Sequence, residues 1–353
     1  MRNIKKSFSR SFWVFFIVSG LLLVSANFFG TVHASTVANG IISSDTIWTK
    51  TNSPYTFTGP VKVDLGVTLT IEPGVTVDIG DYYFEVGGTL SARGSINDKI
   101  IFSSTGSSTV QGDLIFYSSS VRWDEQTNSG CIIENAVLNL KGRIFLYDTS
   151  PKITLSTINC DITFEKYSTA GRPIISDNMM TGGIFIQSGS PIIVNNTIFA
   201  PPSPGAPTTG ISLYSKNISN PAIVSNNTIS DCYFGISGIT NAIVSNNVIT
   251  DCEYGMDIKA AGNASVSNNI ISGCRTVGIH FESGYLVIEN NTITNNFNGI
   301  SIRNLGLTTI LSGTSLQLNT ITSTTQTLTT TSTRTPPTTL TPQATGGEQQ
   351  TPK

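Results

Sequence analysis

The chain has 353 residues, of which only 12% are charged, with 32 glycines and a net charge of −2. Its first 34 residues carry +4 (Arg2, Lys5, Lys6, Arg10), so the remainder stands at −6 with no Lys/Arg cluster. Nucleic-acid binding, which needs concentrated positive charge, is excluded as a role, and a helical fold has little to work with among so many Asn, Ser, Thr, Gly and Ile.

The N-terminus reads MRNIKKSFSR, then an apolar run from Phe12 to Phe29, then VHA ending at Ala34. A basic segment, an apolar core and a small-residue cleavage site describe a signal peptide over residues 1–34. The alternative is an uncleaved anchor, since the apolar run is long for a leader. No second apolar stretch of spanning length follows, so the mature protein is expected to be secreted, extracellular or held at the cell surface, without a membrane span once the leader is cut.

From Val61 the text alternates: VKVDLGVTLTIEPGVTVDIG, then YYFEVGGTLSARGS, then KIIFSS. Period-two alternation with frequent Gly predicts short strands joined by tight turns. Farther on, one line is written repeatedly: NNTISDCYFGIS from Asn226, NNVITDCEYGMDI from Asn246, NNIISGCRTVGIHF from Asn268 and NNTITNNFNGISI from Asn290. The second Asn of each copy falls at 196, 227, 247, 269 and 291. The one long step holds the Pro-rich insertion APPSPGAPTTG (200–210), and the others are 20 to 22 residues. Such a period marks a solenoid, and the β-branched fragments inside it mark strands. The fold class read from this is all-β: a right-handed parallel β-helix over residues 35–322, with about 22 residues per coil.

Stacking gives the repeated letters their reasons. Asn columns can hydrogen-bond from coil to coil and tolerate a left-handed corner. Gly235, Gly255, Gly278 and Gly299 are expected to serve another corner. Ile229, Ile249, Ile271 and Ile293 form an apolar core column. Cys232, Cys252 and Cys274 stack with parallel Cβ vectors, a poor geometry for bridging, and read as buried free thiols. The end segments around Ile41 to Trp48 and Leu305 to Leu318 are candidate caps against edge pairing. Residues 323–353 are rich in Thr and Pro and lack periodicity, so they read as a disordered tail, either O-glycosylated or a plain linker.

The NNTI…GI pattern resembles the β-helix repeats of NosD-type proteins and the wider carbohydrate-binding and sugar-hydrolysis β-helix class. LTIEPGVTV resembles the opening coil of secreted members of that group. The resemblance covers about residues 55–322 and implies the fold. The copper connection of NosD-type proteins does not carry over, because no ligand cluster here matches it.

Alternation after each Gly places two outward columns on one sheet. One is Phe185, Ser212, Ser237, Asp257, His280 and Ser301. The next is Gln187, Tyr214, Ile239, Lys259, Glu282 and Arg303. A ligand strip is therefore expected at Asp257, Lys259, His280, Glu282 and Arg303, with Tyr214 as a stacking surface, for a polysaccharide, a cell-surface glycan or another surface partner. Charge pairing across strands that merely holds the sheet is the competing account. No catalytic residues, metal ligands or cofactor are assigned, since a single His, His280, remains after the leader, and the chain is expected to be monomeric. A polysaccharide lyase or glycoside hydrolase is one alternative, with Asp257 and Glu282 as possible neighbouring carboxyls. A structural spacer is the other. Of the N-x-S/T sequons, those at Asn195, Asn226 and Asn290 belong to the Asn columns, and Asn217 and Asn263 are the expected glycan sites.

Overall fold

The computed structural model describes residues 35–105, 112–165, 171–200, 208–214, 220–259, 263–282, 285–302, 309–312, 315–317, 320–323 and 329–331. The expected leader at 1–34 and most of the tail expected over 323–353 lie outside these residues, as does Asn217; within that tail Thr329–Thr331 is a strand that pairs with Ile310–Ser312, so the ladder runs past residue 322.

Three short strands make one coil. A representative coil has Ala222–Ser225, Thr228–Ser230 and Phe234–Ser237, and the next has Ala242–Ser245, Val248–Thr250 and Tyr254–Ile258. Each strand pairs in parallel with its equivalents one coil away, which builds three long faces. The first face runs through thirteen described strands, from Thr46–Trp48 to Thr329–Thr331. The other two faces are joined where the long strand Tyr55–Val63 pairs with Thr76–Asp78 at one end and Phe84–Val86 at the other. Twelve steps of about 4.8 Å make the ladder roughly 58 Å long.

The interior is one continuous apolar column. Ile229, Ile249, Ile271 and Ile293 are aligned by register and fully buried, as the period requires. Aromatic rings fill the first coils: Trp48 stacks on Tyr55 at 4.6 Å, and Phe57 meets Phe84 edge-on at 5.4 Å.

The two Asn of each NN pair divide the labour. The first (Asn195, Asn226, Asn246, Asn268, Asn290) is exposed, with φ of 53° to 58°, and turns the corner. The second (Asn196, Asn227, Asn247, Asn269, Asn291) is at most 1% exposed and forms a ladder. Asn247 Nδ2 donates to Asn269 Oδ1 at 2.9 Å and to the carbonyls of Val224 and Ser245 at 3.0 and 3.1 Å. Its Oδ1 accepts from Asn227 N and Nδ2. Each rung thus satisfies buried backbone groups of the coil before it. The sequon asparagines Asn195, Asn226 and Asn290 are therefore corner residues on the surface, not the stacked ones. Asp231 and Asp251, with φ of 58° and 57°, turn a second corner.

The repeated glycines do not serve a corner. Gly235, Gly255 and Gly278 lie inside strands, and their φ is not left-handed. A Cβ on Gly255 would meet the Gly278 carbonyl oxygen at 2.5 Å and Ile271 Cγ2 at 2.6 Å. Glycine is required there by the close approach of the next coil. The end segments are likewise coils, not separate caps. Thr36–Ile42 pairs with Tyr55–Val63, Thr46–Trp48 pairs with Thr68–Ile71, and Thr309–Ser312 and Ser315–Gln317 continue the ladders. A parallel strand finds its partner in the neighbouring coil, so the terminal segments gain most by joining the stack.

All five cysteines are free and buried. Cys232 and Cys252 Sγ donate to the carbonyls of Ser230 and Thr250 at 3.3 and 3.4 Å. In the fourth copy Asn296 fills the slot and accepts from Cys274 N at 2.9 Å. Burial pushes Cys131 up to about 11, and Cys160 and Cys274 up to about 12. A thiol needs both access and deprotonation to react. Titration of the native protein with a soluble disulfide reagent at neutral pH is expected to label no cysteine until denaturant is added. Fast labelling of the native state would show that the column is open.

Candidate functional site

The third face carries the site. Register aligns Phe185, Ser212, Ser237, Asp257, His280 and Ser301 in one column, as alternation after each Gly predicts. The neighbouring column departs at one point. Gly238, with φ of 70°, turns Ile239 into the core, where it is fully buried. Tyr214 fills the space above Gly238 instead, its ring 2.9 Å from where a Cβ would stand.

Asp257 and His280 point outward from the strands yet are 2% and 9% exposed. They are covered because they hold each other: His280 Nδ1 and Asp257 Oδ1 are 2.7 Å apart. Lys259 Nζ reaches the other carboxyl oxygen, Oδ2, at 3.3 Å. The Asp257 carboxylate holds the Lys259 ammonium above the usual lysine range. Binding His280 through Nδ1 leaves Nε2 as its remaining polar atom, with the ring fixed in one orientation.

These groups line a cleft of about 450 Å³ with Glu282, just past the His280 strand, and with Asn298 and Ser301 on the following strand of this face. Tyr233, Phe234 and Tyr254 form its aromatic wall. Phe234 and Tyr254 lie 5.2 Å apart, and the Tyr254 ring is 6.3 Å from the His280 ring. The Thr276 hydroxyl bonds the Glu253 carboxylate at the rim.

Of the expected strip, Asp257, Lys259, His280 and Glu282 meet in one cleft. Tyr214 packs over Gly238 on the same face and is 48% exposed. Arg303 lies outside the described residues, and Asn263 opens a first-face strand. The aromatic wall is absent from the sequence expectation. Its signal is the aromatic just before the repeated Gly in CYFG and CEYG. Among the described residues no group of three or more His, Cys, Asp or Glu could hold a metal ion.

The possible pairing of Asp257 and Glu282 as two catalytic carboxyls loses support here. A glycosidase needs one acid and one base or nucleophile facing the scissile bond. Both Asp257 oxygens are engaged and the group is buried.

Three parallel faces per coil, an internal Asn ladder and an outward cleft on one face define a right-handed parallel β-helix protein. Residues 174–321 match the family model described as the right handed beta helix region. No curated protein and no solved structure matches the chain. The family match is at the level of the fold and does not single out the NosD-type branch.

Proposed function

We propose that this is an exported β-helix protein that binds a neutral carbohydrate in the third-face cleft without cleaving it. The observation that carries the reading is the pairing of a fixed polar cluster (Asp257, His280, Lys259, Glu282) with an aromatic wall in one open cleft. Saccharides present hydroxyls at their edges and C–H surfaces on their faces, so they need both kinds of partner. The lining sets Asp257 and Glu282 against Lys259, which disfavours acidic glycans. The leader-like N-terminus supports export, and the Thr/Pro-rich C-terminus suits a surface stalk.

The test is titration of the purified protein against neutral and acidic glycans, beside the double variant Lys259→Met, Glu282→Gln. Binding of a neutral glycan is expected, weakened about tenfold or more in the variant, about 1.4 kcal/mol. Unchanged affinity in the variant would remove the strip, and release of shortened sugars would restore the hydrolase or lyase reading.

A further inference from the structure

The third face is not featureless between its start and the cleft. Register aligns Tyr117 with Tyr147, Tyr147 with Glu165, Glu165 with Gln187, and Gln187 with Tyr214. Two coils beyond Tyr214 come Lys259 and then Glu282. One outward track thus runs from Tyr117 to Glu282 in seven coil steps, about 34 Å. In the adjacent outward column, Phe145 stands beside Tyr147.

At the far end of this track the rings share an orientation. Phe145 and Tyr147 lie 5.9 Å apart with planes within 4°, and Tyr117 lies 5.9 Å from Tyr147 within 15°. All three are partly exposed. The Tyr117 hydroxyl donates to Glu85 Oε1 at 2.5 Å, which fixes that ring. Burial, followed by Glu85, pushes this hydroxyl up to about 12, so it stays protonated as a donor. Aromatic side chains on the outside of a β-solenoid gain nothing from the core. The three rings, stacked on one another and anchored at Tyr117, form a preorganised aromatic surface.

We propose that Phe145, Tyr147 and Tyr117 form a second subsite, and that it and the cleft hold one linear, neutral oligosaccharide laid along the solenoid axis. The inference rests on the carbohydrate reading of the cleft and adds the length and direction of the ligand. An extended β-linked hexose chain advances by nearly one strand spacing per sugar, so each coil offers a repeat of the ligand its own rung. The track's seven coil steps of about 4.8 Å each thus offer one rung to each of roughly seven sugars. Tyr214 lies between the two ends and serves as the intermediate contact. The carboxylates of Glu165 on the track and of Glu85 beside its start fit an uncharged chain and not a uronate polymer.

The experiment is calorimetric titration with cello-oligosaccharides and N-acetylglucosamine oligomers, from disaccharide to octasaccharide. It uses the wild type, the variant Phe145→Leu, Tyr147→Leu, and the cleft variant Lys259→Met, Glu282→Gln. Leucine keeps apolar cover over the sheet, and an unchanged melting temperature verifies the fold. The octasaccharide is expected to bind at least about tenfold tighter than the disaccharide. The leucine variant should lose that advantage while binding the disaccharide normally, and the cleft variant should weaken every length. Affinity independent of length, or an octasaccharide indifferent to the leucine variant, overturns the second subsite and leaves the cleft standing. Failure of the wild type to bind any oligomer in either series overturns both.

Discussion

Asn247→Ala lowers the stability of the solenoid by about 4 kcal/mol, the largest loss expected from any single repeat position. The side chain is fully buried, donates three hydrogen bonds and accepts two. Alanine removes the acceptor of Asn227 N and the donor to the Val224 carbonyl, both inside the solenoid. Each buried orphan costs about 1–3 kcal/mol, and the vacated space adds to it. Asn246→Ala gives the contrast. It removes an exposed residue with φ of 57°, and the loss there is about 1 kcal/mol of left-handed strain. Urea unfolding followed by tryptophan fluorescence reads both. Equal losses for the two variants would mean that the ladder is no stronger than its corner. Because coils interact mainly with their neighbours, hydrogen exchange should place the damage in the coils around Asn227, Asn247 and Asn269.

The second large effect is at Asp257, where stability and binding meet. Asp257→Ala is expected to cost about 3 kcal/mol and to abolish glycan binding. The carboxylate is 2% exposed and is the bonded partner of both His280 and Lys259. Removing one member of a buried pair strands the other, which costs about 3–5 kcal/mol, here reduced because Lys259 can turn to solvent. His280 would then lose the contact that fixes its ring against Tyr254. Asp257→Asn keeps the shape and an acceptor for His280 Nδ1, so stability should largely return while the hold on Lys259 does not. Thermal melts and glycan titration of the two variants separate the roles. A stable Asp257→Ala protein with normal binding would reduce the cluster to surface decoration.

The period was legible because a solenoid writes its contacts along the chain. Equivalent residues of successive coils touch, so Asn, Ile, Gly and Cys recur at the coil length, and the columns could be named from spacing. The outward column Ser212, Ser237, Asp257, His280 was read in register for the same reason. Three things were hidden. The corner role went to the first Asn, while the glycines answered to the carbonyl of the next coil. That distinction depends on φ and on a clearance of 2.5 Å, neither of which residue type reveals. Ile239 left its column because Gly238 takes φ of 70°, a local twist with no period. The aromatic wall was missed because Tyr233, Phe234 and Tyr254 are not a stacked set of one letter.

The sequence by itself determined the coil, its length, its apolar filling and the face on which Asp257, Lys259, His280 and Glu282 would lie. These follow from nearest-neighbour contacts, which a periodic chain repeats and so displays. Only the tertiary structure decided that Asp257 and His280 are buried against each other, that aromatics before the Gly close one side of the cleft, and that Tyr117, Phe145 and Tyr147 align farther along the same face. Those facts depend on how side chains from several coils fold over one another in space, and ring orientation and burial leave no period in the sequence.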